Sequence, residues 1–352
     1  KIWSYIDNWW LTDKADGQRC LIIITLQKII LISDYLYIIK CPNTKMTESE
    51  LTILDAELIY NMKTINTDVK NIIEIIPLKK IILFTFDVIM YKGKNLTHEI
   101  FGERYKKLNQ ATELINKLCG QKIAKSKQFI HLTKENYIQE ITNVYNKKNT
   151  LYEIDGLIFT PNGVSEIDKI HNQKYKYNQK NTTYRNMEVW KWKPIPTIDF
   201  LIRKPADNII GKYPYIYDNN KILYFLFSGI NKNVFERMNI LTIKNYFTLF
   251  GGEMLQKQYH PIQFSPSSNS LAYIYCHKKD KNKKDEENLN GKIGEFTLLI
   301  DEKTGKEEWE MIRIRTDRTQ DAKKGTDFGN NFITAEQIWD NLHNPLLFKD
   351  LI

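Results

Sequence analysis

Six residues near the start of the chain, Lys14-Ala15-Asp16-Gly17-Gln18-Arg19, carry the first chemistry of the sequence and stand directly before the apolar run Cys20 to Leu26. A lysine at the mouth of a strand is placed to act as a nucleophile, because its amine forms covalent intermediates once burial or a cationic neighbour lowers its pKa. Gly17 permits a turn that a Cβ resists, and Arg19 carries a fork that suits phosphate. Taken alone, the six residues equally describe a charged turn.

Further reactive types recur at strand spacing. Asp55 and Glu57 alternate with apolar residues in Ile53 to Ile59, so they share one face and need cations or a metal; exposed acids on an edge strand are the competing reading. Glu153 and Asp155 do the same in Leu151 to Phe159, ahead of Gly156. In Glu188-Val189-Trp190-Lys191-Trp192-Lys193-Pro194, alternation sends both lysines one way and both tryptophans the other, although an amphipathic edge strand stopped by proline reads the same. Arg313, Arg315 and Asp317 share a face of Met311 to Arg318, with the isoleucines toward a core.

The elements that must position these residues are mostly strands. Trp3, Trp9 and Trp10 are expected in a short helix or coil under the lysine turn. Cys20 to Ile39 reads as a meander and Thr47 to Glu50 as a turn. Ile81 to Tyr91 is a strand with Phe84 and Phe86 on one face and Asp87 on the other, ending in the turn Lys92-Gly93-Lys94. Glu103 to Leu118 and Lys134 to Tyr145 carry apolar residues at helical spacing. Lys122 to Lys127 reads as a solvated basic loop, Gly163 to Arg185 as a polar excursion, and Lys278 to Glu287 as a charged loop. Pro194 and Pro196 mark a boundary, beyond which Phe200 to Arg203, Ile222 to Phe227, Tyr273 to Cys276, Gly294 to Ile300 and Trp309 to Arg315 suit a small barrel. A capping box at Thr334 and Gln337 opens a last helix with Ile338, Trp339 and Leu342 on its apolar face, stopped by Pro345.

With 352 residues the chain has room for two domains, and 42% hydrophobic with 26% charged residues is a globular composition. The net charge of +9 favours an anionic partner, nucleic acid first. No stretch has the length of a membrane span, no signal peptide is visible, and Cys20, Cys41, Cys119 and Cys276 lack metal-ligand spacing, which is read as reduced thiols in an intracellular setting. The first residue is Lys rather than Met, as expected of a piece of a longer chain.

In order, these pieces resemble one family: the covalent nucleotidyltransferases, and within them the GTP:RNA guanylyltransferase module of mRNA capping enzymes. Lys14 to Arg19 is similar to its KxDGxR motif, Leu54-Asp55-Ala56-Glu57-Leu58 to its LDGE strand with Ala56 where glycine is usual, and Phe86-Asp87 with Gly93 to Leu96 to its aromatic-Asp strand. Glu153 to Ile158 resembles the DGxI motif, Val189 to Pro194 the KWKP motif, and Arg313 to Arg318 the RxRxDK motif with Arg318 in place of lysine. The tail from Phe328-Gly329-Asn330-Asn331-Phe332 to Pro345 resembles the stretch before the methyltransferase in multifunctional capping enzymes of large cytoplasmic DNA viruses and linear plasmids.

The resemblance implies an α+β fold: an ATP-grasp-like nucleotidyltransferase domain with antiparallel sheets and flanking helices over 1–195, a C-terminal OB-fold β-barrel over 196–320, and a helical segment over 321–352 leading to a methyltransferase. It implies that Lys14 takes GMP from GTP as a phosphoramidate and passes it to the 5′-diphosphate end of RNA, with Asp16 orienting Lys14 and with nearby cations lowering the lysine pKa. Lys191 and Lys193 would hold the α-phosphate, and Asp155 with Glu57 would hold Mg²⁺ or Mn²⁺. Phe86, or less favourably Phe84, would sandwich guanine against Ile158, and Arg19 or Glu57 would touch the ribose. Arg313, Arg315 and Arg318, with Asp317 beside them, would reach the β- and γ-phosphates on closure of the barrel domain. The implied partners are GTP, RNA, a triphosphatase and a methyltransferase in the same longer chain, and a small regulatory subunit, with no membrane, in a cytoplasmic or virion setting. An ATP-dependent DNA or RNA ligase using a lysyl-AMP, and a non-catalytic RNA-binding module, are the alternatives.

Overall fold

Cys20, Ile22 and Ile24 are buried while Arg19 just before them is exposed, the period-two pattern of a strand covered on one face. That pattern builds most of the chain. The computed structural model describes residues 6–25, 28–33, 36–40, 51–60, 73–75, 81–148, 151–163, 189–205, 221–231, 259–265, 271–277, 289–301, 303–316, 318–319, 322 and 328–352. Trp3, Cys41, Thr47 to Glu50, most of Gly163 to Arg185, Lys278 to Glu287 and Asp317 therefore lie outside the described residues.

The chain divides into two units, Lys1–Pro194 with Phe348–Ile352, and Ile195–Leu347. In the first, the elements are β1 (Trp9–Ala15), β2 (Gln18–Thr25), β3 (Lys28–Ile32), β4 (Leu36–Lys40), β5 (Thr52–Tyr60), β6 (Ile73–Ile75), β7 (Ile81–Tyr91), β8 (Lys94–Asn95), α1 (Phe101–Cys119), β9 (Ala124–Ser126), β10 (Ile130–His131), α2 (Tyr137–Asn146), β11 (Ile154–Pro161) and β12 (Trp190–Trp192). They form a larger sheet of order β6-β4-β3-β2-β5-β7-β8 with β9 on β7, and a smaller one of order β10-β1-β11-β12. Pairing is antiparallel except for β4 with β6 and β7 with β9, which are parallel. The meander and the strand Ile81 to Tyr91 are as expected. Trp9 and Trp10 are not in a helix or coil: they open β1, so Lys14 sits within a strand. Aromatic and β-branched residues at 9–12 favour the pleated conformation, and β10 and β11 pair with both sides of it.

Each sheet has its own helix. The α1 residues Leu108, Ala111, Ile115 and Leu118 pack on Ile22, Leu54, Leu58 and Leu83 of the larger sheet. The α2 residues Ile141 and Val144 pack with Leu11, Leu157, Phe159 and Trp192 of the smaller. The end of the chain returns to this second core, where Phe348 stacks on Tyr145 at 4.3 Å between ring centroids.

The second unit holds β13 (Ile198–Arg203), β14 (Lys221–Asn231), β15 (Tyr259–Gln263), β16 (Tyr273–His277), β17 (Ile293–Ile300), β18 (Glu307–Ile314) and α3 (Phe332–His343). Its sheet runs β15-β14-β13-β17-β18 with β16 also on β14, all antiparallel, and does not close into a barrel among the described residues. Phe200, Phe264 and Phe296 form an aromatic core on which Phe332, Trp339 and Leu342 of α3 pack. Asn331 caps α3, accepting from the Ile333 N–H, in place of the expected Thr334 box. On β18, Ile312 is exposed rather than in the core: the register skips it between Phe296↔Met311 and Glu295↔Arg313, so the alternation that assigned it inward breaks there.

Candidate functional site

A cavity of about 360 Å³ in the first unit is lined by residues of both sheets. Lys14 and Thr12 come from β1, Arg19 from β2, Asp55 and Glu57 from β5, Phe86 and Asp87 from β7, Arg104 from α1, and Ile158 and Lys191 from β11 and β12. Strand pairing explains several of these positions. Ile158 lies opposite Lys191 in the β11–β12 ladder, which puts both on the cavity face. Between Asp13↔Leu157 and Ala15↔Ile154, the two residues Asp155 and Gly156 oppose the single Lys14. This bulge brings the Asp155 carboxylate to the lysine amine at 2.5 Å, while Lys193 reaches the same oxygen at 2.8 Å. Gly156 is required there: its φ is +127°, and a Cβ would stand 2.1 Å from the Trp192 carbonyl oxygen. Gly17 answers to close approach instead, since a Cβ would fall 2.8 Å from Glu57 Cγ and 2.6 Å from Ile59 Cδ1.

A second bulge aims Phe86. Asp55 pairs with Asp87 and Ala56 with Thr85, so Phe86 is the extra residue and turns to the cavity together with Asp87, contrary to the alternation expected for this strand. Phe84 is buried and meets Tyr152 edge to face at 4.6 Å. It does not line the cavity.

The electrostatics are of a cation-rich pocket with embedded acids. Arg19 grips Asp55 through two hydrogen bonds of 2.9 and 2.6 Å, so its fork is engaged by a carboxylate. Arg104 does the same to Asp87, at 2.8 and 3.1 Å, and donates to the Glu99 carbonyl. β5 is interior to its sheet, which rules out the exposed-edge reading of Asp55 and Glu57. Burial pushes the Glu57 carboxyl above its usual range, against the opposing pull of Lys14, Lys127 and Lys191. Burial also raises Asp155, but the hydrogen bonds from Lys14 and Lys193 outweigh it and leave this carboxyl below its usual range. The Lys191 ammonium is depressed, first by burial and then by Lys14 and Arg19.

Lys127 is the residue that sequence reasoning misplaced. Expected in a solvated loop, its side chain is only 3% exposed, lines the cavity, donates to the Asp13 carbonyl and stands 3.4 Å from the Asp13 carboxylate. Burial lowers its pKa while Asp13 opposes the shift. Tyr152 donates to the same carboxylate, and its ring lies 5.2 Å from the Lys127 amine. No sequence signal marked Lys127, whereas Arg104 had one: with Phe101, Leu108, Ala111 and Ile115 it falls on the buried stripe of α1.

The cavity thus brings together Lys14, Arg19, Glu57, Phe86, Ile158 and Lys191, with Asp155 and Lys193 at its Lys14 edge. Asp16 does not line it and instead donates its N–H to the Glu153 carbonyl at 3.0 Å. In the second unit Arg313 pairs with Glu295 at 2.6 Å, and Arg315 and Arg318 share Asp199 at 2.8 and 2.6 Å.

The chain is a sequence relative of mRNA-capping enzymes of large DNA viruses. It is 31% identical over 349 residues to the mRNA-capping enzyme of African swine fever virus (isolate Pig/Kenya/KEN-50/1950), a match covering 98% of this chain and 35% of that protein. It is 30% identical over 232 residues to the probable mRNA-capping enzyme of Acanthamoeba polyphaga mimivirus, covering 59% of this chain and 16% of that protein. The chain therefore spans about a third of the first relative's length. Among solved structures, the mycobacterial DNA ligase D complexed with ATP and MES is similar at a TM-score of 0.37 and 14% identity, over 88% of this chain and 89% of that one. No family model matches the chain.

Proposed function

We propose that this relative of the viral mRNA-capping enzymes is their GTP:RNA guanylyltransferase module, acting through a lysyl-GMP at Lys14. The observation that carries the reading is the chain Lys14–Asp155–Lys193 at the edge of a cavity that also presents Lys191 and the Phe86 ring. In the first step, the Lys14 amine attacks the α-phosphorus of GTP: the P–N bond forms, the bond to the bridging oxygen breaks, and pyrophosphate leaves. Asp155 directs the amine, whose proton passes to solvent. In the second step, a terminal oxygen of an RNA 5′-diphosphate forms a P–O bond to that phosphorus, the P–N bond breaks, and the amine recovers its proton.

Reactions of this class ask the protein for positioning and charge neutralisation. Lys191 and Lys193 supply charge at the α-phosphate, and Phe86 with Ile158 bounds the base. Asp16, its N–H held on the Glu153 carbonyl, is assigned to orienting Lys14. No group of three or more His, Cys, Asp or Glu side chains gathers among the described residues. Asp155, with Glu57 in support, would hold Mg²⁺ or Mn²⁺, since hard oxygen ligands suit those ions. Such an ion, when bound, neutralises phosphate charge. We assign Arg313, Arg315 and Arg318 to the β- and γ-phosphates, and the second unit to an OB-type domain. A longer chain with triphosphatase and methyltransferase domains in a cytoplasmic or virion setting follows from the same reading.

The test is to incubate the protein with α-labelled GTP or ATP and Mg²⁺ or Mn²⁺, denature it, and look for label on the protein. The expected result is an acid-labile adduct from GTP that Lys14→Ala abolishes. An adduct from ATP alone assigns the chain to the ligases, and none from either overturns covalent transfer.

A further inference from the structure

A second, open cavity of about 380 Å³ in the first unit is lined by Tyr145, Lys147, Lys148, Tyr152, Glu153, Ile154, Gly156 and Pro194. It flanks the reaction centre through covalent neighbours. Ile154 and Gly156 stand on either side of Asp155, and Pro194 follows Lys193, the two residues whose side chains meet beside Lys14. The nucleotide cavity lies elsewhere, since none of these eight residues lines it. An acceptor that attacks the phosphorus on Lys14 needs an approach that does not pass through the bound base, and this groove reaches β11 at the two neighbours of Asp155.

Its chemistry suits one kind of occupant. Lys147 and Lys148 are both exposed at the C-terminal end of α2. A helix C-terminus favours a cation by itself, which accounts for one lysine on the surface. It does not account for two beside an open groove that carries aromatic rings. Tyr145 is 38% exposed, yet its position is fixed by stacking on Phe348 and an edge contact with Trp192 at 5.6 Å. Rigid tyrosine beside lysine is the combination that takes single-stranded nucleic acid, by stacking of bases and by neutralisation of phosphates. Glu153 supplies the one acid of the lining.

We propose that this groove is the acceptor-RNA tract: Lys147 and Lys148 hold backbone phosphates of the nucleotides behind the 5′-diphosphate, and Tyr145 stacks on a base. The proposal rests on the guanylyltransferase reading, deepening it to the site where the RNA lies.

The experiment uses the Lys147→Ala/Lys148→Ala double variant of the 352-residue chain. Adduct formation from labelled GTP is measured first, then transfer from the isolated adduct to two acceptors: a 5′-diphosphate oligoribonucleotide, and a nucleoside 5′-diphosphate that has no downstream phosphates. Binding of the same oligonucleotide to the unlabelled protein is measured in parallel. The expected result is adduct formation within twofold of wild type, transfer to the oligonucleotide and its binding reduced about tenfold with a shallower salt dependence, and transfer to the nucleoside diphosphate unchanged. Arginine at both positions restores transfer. Unchanged oligonucleotide binding and transfer overturn the tract, as does an equal loss with both acceptors, which would place the lysines in the transfer step itself. Absence of any adduct in the wild type overturns the guanylyltransferase reading instead, and the binding comparison then still decides the tract.

Discussion

Glu57 is a carboxylate that the fold makes uncomfortable, and that has a measurable sign. Its ordinary pKa of 4.5 is raised in the folded chain by burial, despite three lysines nearby. Below 4.5 the side chain is protonated whether folded or not, so burial costs no charge there. As pH rises through that value the unfolded chain ionises freely while the folded one resists, so stability is lost. Glu57→Gln should therefore raise Tm at pH 7, lose that gain as the pH falls toward 4.5, and lower adduct formation throughout. Thermal scans at the two pH values check this, and a variant less stable than wild type at pH 7 refutes it. Lys14, Glu57 and Lys191 line the cavity and Asp155 and Lys193 stand at its edge, as the motifs of the resemblance imply. Lys127 and Asp13 could not be read that way. A lysine in a polar loop looks solvated until a strand 114 residues away in sequence covers it, and only the assembled sheets put it against Asp13.

Strands were easy to find in this sequence, and their faces were not always. The alternation rule holds along β2, where Cys20, Ile22 and Ile24 are buried and Leu21 and Ile23 are less so. It fails at Phe86 and Ile312, each the extra residue of a register shift, and a bulge also sets Asp155 against Lys14. Bulges leave no period in the sequence, and they fall where the chain must re-aim a side chain. The Asp155–Gly156 bulge is the most exacting of these, because it demands φ of +127° and bare backbone under Trp192. Gly156→Ala should cost on the order of 2 kcal/mol or more from backbone strain alone, with the clash added, and should lower adduct formation by shifting Asp155. Urea midpoints and the labelling assay read the two effects. A variant with wild-type stability would mean that β12 yields easily.

At the level of the whole chain, the sequence indicated two units and an α+β fold, while the closed barrel is not found among the described residues. The arginines of the second unit are the part of the proposal that separates the two half-reactions. Arg315→Ala leaves Asp199 in its bond with Arg318, so the unit has reason to stay folded. It should impair adduct formation from GTP more than transfer from a preformed adduct, and equal losses in both would remove the β- and γ-phosphate role. Within the first unit, the cavity draws its residues from β1, β2, β5, β7, α1, β11 and β12, whose pairings join segments far apart in sequence. Such non-local pairings close late and slowly, since loop entropy must be overcome before they gain contacts. The competence of Lys14 to take label is then a clock for refolding: after dilution from denaturant, it should return only once both sheets have formed, behind any signal from α1 alone.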